Sequence, residues 1–157
     1  MAFGAGSEIF TQFINSVMEN YTPITLSTDT CKIALFNDSV SPDQNAVVAS
    51  TAFNAGTWTT GNEVTDATGW PSTGNPILTP THVAGTALWT YDAPDLVSLD
   101  THTTLTGTFG CLVYDDTIAS VCVDEGVCYL SFGGTQSVSA GTFTIVFHTS
   151  GIFAITL

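Results

Sequence analysis

The chain has 157 residues, of which 44% are hydrophobic and 10% charged, with 14 acidic side chains against one basic residue, Lys32, and no arginine. A net charge of −13 leaves nothing to neutralise phosphates, so nucleic acid and anionic membrane surfaces are excluded as partners. The hydrophobic content excludes a disordered acidic tail, and the length fits one domain with its own core. There are 27 threonines, ten Phe, four Tyr and three Trp, a composition that favours half-buried strands over helices.

The start, Met1-Ala-Phe-Gly-Ala-Gly-Ser, lacks the basic region of a secretion signal, and no apolar run approaches the roughly 20 residues of a membrane span. The expectation is a protein made in a cytosol. The first element is an amphipathic helix from Ser7 to about Asn20, with Ser7 as cap and Glu8 at the positive end of the dipole. Ile9, Phe10, Phe13, Ile14, Val17 and Met18 share its apolar face. That face either covers an open sheet or docks on a neighbouring subunit. Residues 1–29 thus read as a helix and arm, and 30–157 as the β domain.

Cys31–Phe36 is a largely apolar strand, and Ser41-Pro42-Asp43-Gln44 a turn. Thr57–Thr60 and Glu63–Thr65 flank Gly61-Asn62, a two-residue hairpin signal. Gly69 to Pro76 is a loop, followed by strands at Ala87–Tyr91 and Leu96–Leu99. Thr103–Thr108 and Gly110–Tyr114 read as one long strand bulged between Gly107 and Gly110. Two glycine-closed hairpins finish the chain, around Gly126 and Gly151. In the last, period-two alternation faces Phe147 with Phe153, Ile145 with Ile155 and Phe143 with Leu157. In the earlier one Cys122 faces Cys128; the two could bridge across the strands or remain buried free thiols. The expectation is an all-β, antiparallel sandwich or barrel-like domain of eight or nine strands with one N-terminal helix.

The chemistry-bearing groups are sparse. Asp115-Asp116 and Asp124-Glu125 are adjacent carboxylates that read as solvated turns rather than a glycosidase pair, whose two groups must flank a cleft. The four cysteines and His82, His102 and His148 have no zinc-site spacing, and no calcium-loop, nucleophile-elbow or phosphate-loop motif occurs. No cofactor or metal is expected. Trp89 reads as core, whereas Trp58 and Trp70 lie beside turns, either packed or exposed as a platform for a sugar ring.

The blocks KIALF at 32–36, SPDQ at 41–44, NEVTDATGW at 62–70, GCLVYDD at 110–116 and SAGTFTIVFHTSGIFAITL at 139–157 carry a resemblance. In their order the chain resembles small β-rich virion proteins of tailed bacteriophages, the head decoration, cement or head-fibre proteins. The resemblance runs from Lys32 to the end and implies a non-enzymatic protein, made in the host bacterial cytoplasm, that binds the major capsid protein on the outside of a phage head. Self-association as a dimer or trimer is the default for such parts. The expected interface is Ile9, Phe10, Phe13, Ile14 and Val17 of the helix with the loop around Trp70, so that deleting residues 1–20 would abolish binding and leave the sheet folded. The rival readings are a carbohydrate-binding adhesion module of a phage tail or fibre, using Trp58 or Trp70, and a tail-tube or neck subunit.

Overall fold

The computed structural model describes residues 6–119 and 121–156. Among these, 41% are in strands and 8% in helices, and every strand pairing is antiparallel. The centre is a five-stranded sheet. It contains β1 (Glu8–Ile9), β2 (Cys31–Phe36), β3 (Asn75–Pro76), β7 (Thr103–Asp115) and β8 (Gly126–Gly141), in the order β1-β8-β7-β2-β3.

Both faces of this sheet are covered at its middle, which is why Cys31-Lys-Ile-Ala-Leu-Phe36 is apolar on both sides instead of alternating. On one face Phe36 meets Trp58 edge-on at 5.1 Å, Phe53 stacks on Tyr114 at 4.9 Å and Phe10 tilts against Tyr129 at 5.4 Å. The cover there is the irregular stretch from Val40 to Trp58, with one helical turn α2 (Val48–Thr51). On the other face Tyr91 packs beside Cys31 and Cys128. Tyr91 belongs to a second sheet of β4 (Thr81–Ala84), β5 (Leu88–Asp92) and β10 (Phe153–Thr156), ordered β10-β5-β4. A third pair joins β6 (Leu96–Val97) to β9 (Thr144–Ile145). The packing is that of an all-β sandwich, and the sheets do not close into a barrel.

β7 and β8 form a long bulged pair, with register shifts at Thr103/Leu105, Leu105/Thr108 and Thr108/Gly110, as the glycines between 107 and 110 led one to expect. Gly107 sits at φ +74°, a value that residues with a Cβ rarely adopt.

Four expectations are corrected. The helix α1 spans Thr11–Met18 only, because Glu8 and Ile9 are drawn out into β1 against Tyr129 and Cys128. Ser7 therefore caps nothing; its Oγ accepts from the Ser131 amide at 3.1 Å. The hairpin about Gly61-Asn62 does not form: Thr57–Thr60 is irregular, and Glu63 makes an isolated bridge to Phe36. The terminal hairpin is reduced to a tight turn, His148 to Gly151, with Gly151 at φ +93°. Beyond that turn the arms part: β9 goes to β6, and β10 pairs with β5, setting Phe153 opposite Tyr91 and Ile155 opposite Trp89. Leu157 lies outside the described residues. Finally, β8 starts at Gly126 and pairs with Tyr114, so Cys122 sits in the β7–β8 connection and Cys128 faces Val113 and Ile9. Cys122 and Cys128 are not cross-strand neighbours.

Candidate functional site

α1 fixes which of the six expected interface residues can reach a partner. Phe10 and Phe13 are buried, Phe10 between Trp58 (6.1 Å) and Tyr129 and Phe13 against Phe153 (6.2 Å). Ile9 and Ile14 are half-buried, and Val17 and Met18 are 45% and 79% exposed. The apolar stripe thus divides by turn: its first turn joins the core and its last is left to solvent. Trp70 is fully buried, donating from Nε1 to the Ile33 carbonyl at 3.1 Å, and Trp58 is buried with it. Neither indole can present a face to a sugar or to a capsid.

A groove of about 420 Å³ lies between α1, the segment after it and the small sheet. Ile14, Val17 and Met18 line it from α1, Ile24 from the segment after the helix, and His82, Trp89 and Ile155 from the sheet. No carboxylate lines it. The chain has two long stretches without any Asp, Glu, Lys or Arg, 67–91 and 126–157. β4, β10 and most of β5 come from them, so the groove's sheet wall is neutral in a protein of charge −13. The sequence reading missed Ile24, Trp89, Ile155 and His82 as lining: the chain after α1 carries Ile24, and the pairing of β5 with β10 and β4 groups Trp89, Ile155 and His82.

The adjacent carboxylates differ from expectation too. Asp115 and Glu125 are fully buried. Burial pushes Asp115 up to about 6, helped by Asp29 and opposed by the Thr117 amide, which donates to Oδ1 at 2.8 Å. Burial also raises Glu125, against the nearby hydroxyls of Ser16 and Thr22. Their backbones meet, the Asp115 amide donating to the Glu125 carbonyl at 2.9 Å. Asp124 is half-buried, and the exposed Asp116 takes the chain's one lysine, Lys32, at 2.8 Å. A carboxyl raised by burial and tied to its own turn by the Thr117 amide closes the β7–β8 connection.

All four cysteines are buried free thiols. Burial pushes Cys31 up to about 12 and Cys122 to about 11, and holds Cys111 and Cys128 well above the ordinary thiol value. A thiol that does not ionise near neutrality is a poor nucleophile. Among the described residues no three His, Cys, Asp or Glu side chains come together as a metal ligand set. Compared with known proteins, the chain matches no family model, no curated protein and no solved structure.

Proposed function

We propose that this is a non-enzymatic structural protein of a virion, a decoration or cement protein that binds the major capsid protein on the outside of a phage head and stabilises the shell. The observation that carries the reading is the neutral apolar groove at α1 on an otherwise strongly acidic protein. Exposed apolar surface rimmed by polar residues marks a place where another macromolecule docks. The five sequence blocks supply the class of protein, and the acidic exterior suits the side of a shell that faces water rather than packaged DNA. Many copies on a shell make the binding cumulative, so each contact need only be modest.

The rival adhesion reading loses the residues that motivated it, since Trp58 and Trp70 are core. The test also changes. Deleting residues 1–20 would remove β1 and Phe10 from the fold, so loss of binding by that truncation means nothing. Val17→Glu and Met18→Glu instead place carboxylates on exposed positions of the groove wall. Each variant should keep the wild-type melting temperature and lose co-sedimentation with purified undecorated heads. Undiminished co-sedimentation of the double variant would remove the groove as the capsid contact.

A further inference from the structure

The second sheet ends in a short edge strand whose only protection is its length of four residues. β4 makes four consecutive pairs with β5, from Thr81–Asp92 to Ala84–Trp89, without a register shift. Among the described residues no strand lies on its other side, and all four of its residues are exposed. Natural proteins guard such an edge by keeping the strand short or with charge, proline or a bulge, because a straight row of free amides and carbonyls recruits another strand. Thr81-His82-Val83-Ala84 has no charge, no proline and no bulge, and Val83 is 61% exposed. The far part of β8 is the contrast: there Gly133 (φ +73°) and Ala140 (φ +48°) break the line of the strand.

The electrostatics select the occupant. A basic partner is drawn to the carboxylates, all of which but Asp92 lie outside this sheet. A second copy carries −13 as well, and meets the least repulsion where neither surface has a charge. The sheet β10-β5-β4 is such a place, its single charged residue being Asp92 at the end of β5.

We infer that two copies of this chain associate through β4, strand against antiparallel strand about a two-fold axis, joining their small sheets into one. A symmetric edge pairing of this kind is self-complementary, since each copy gives and receives the same hydrogen bonds. Because His82 lines the groove at α1 as well as lying on β4, the pairing sets two grooves beside one another. The inference stands on the edge and its lack of charge, and does not depend on binding to a capsid.

Sedimentation equilibrium of the full chain tests it. The wild type should show a concentration-dependent dimer. Val83→Glu, which puts a carboxylate on each of the facing strands, should raise the dissociation constant at least about tenfold. Val83→Thr, which keeps strand preference without charge, should dimerise as before. Leu78→Glu, an equally exposed position outside β4, should change nothing. A wild type that stays monomeric at every concentration, or a dimer that Val83→Glu leaves intact, overturns the inference. Head binding is read separately by co-sedimentation: a dimer that ignores heads supports the pairing and sinks the capsid reading, and the reverse result does the opposite.

Discussion

At the scale of single residues, Trp70 shows how a side chain beside a turn becomes structural. Asp66 and Trp70 exchange backbone hydrogen bonds at 2.8 and 2.9 Å, which closes a tight loop and aims the indole inward. Its Nε1 reaches Ile33 of β2, and its ring meets Phe143 edge-on at 5.8 Å. The loop that follows runs so close to β2 that a Cβ on Gly74 would lie 2.0 Å from the same Ile33 carbonyl. Gly74 is also at φ +75°, so only glycine fits there. Trp70→Phe keeps most of the ring and removes the donor. It should cost about 1 kcal/mol of stability, read as a lower urea midpoint at unchanged slope. A surface role for the indole would instead leave the midpoint where it was. Val17 behaves oppositely: it is exposed, so substituting it should leave the urea midpoint where it was.

At the scale of elements, Ile9 and Phe10 belong to the core rather than to an arm. Ile9 pairs with Cys128, the Phe10 amide donates to the Val127 carbonyl at 3.1 Å, and the Phe10 ring is sealed against Trp58 and Tyr129. Emptying a buried phenylalanine site alone costs about 3–5 kcal/mol, against a typical total stability of about 5–15 kcal/mol. Deleting residues 1–10 should therefore lower the thermal midpoint sharply and blunt the near-ultraviolet dichroism of the aromatic core. A truncated chain that melts with the full-length protein would mean that the strands alone build this core. Sequence alone could place β2 and the bulged β7, because a run of apolar residues and a glycine-marked irregularity are local facts. It could not place β10. Alternation in Phe153–Thr156 says which side is buried, and says nothing about whether the partner is β9 or β5. For the same reason the groove was half legible: Ile14, Val17 and Met18 follow from helical spacing, and Trp89 and Ile155 from a pairing between distant segments. The split of the helix face was hidden as well, since Phe10 and Val17 look alike until the neighbours of each are known.

At the scale of the whole molecule, charge governs how the fold answers to pH. The protein carries −13 at neutrality, and carboxylates repel one another across its surface. Protonating any of them relieves that repulsion. Two act more strongly, because burial raises Asp115 to about 6 and raises Glu125 above its ordinary value. A carboxyl raised in the folded state holds its proton where the unfolded chain has lost it. Between the ordinary aspartate value of 3.8 and about 6, the fold thus binds more protons than the unfolded chain. Stability therefore rises as pH falls through that window and is lost as pH climbs out of it. For Asp115 the gain is at most about 3 kcal/mol. Asp66 and Asp100 work the other way. Backbone amides of Thr104, Gly69 and Thr68 hold Asp66 low, and that of His102 holds Asp100 low, so their contributions are lost only as pH falls below the ordinary aspartate value. The expected profile is a chain harder to denature at pH 5 than at pH 7.5, weakening again in stronger acid. Asp115→Asn, neutral at every pH, should flatten the rise between pH 4 and pH 6 and be more stable than the wild type at pH 7.5. Urea midpoints measured across that range decide it, and a wild type that grows steadily weaker from pH 7.5 to pH 5 would mean that burial does not raise Asp115 in the fold.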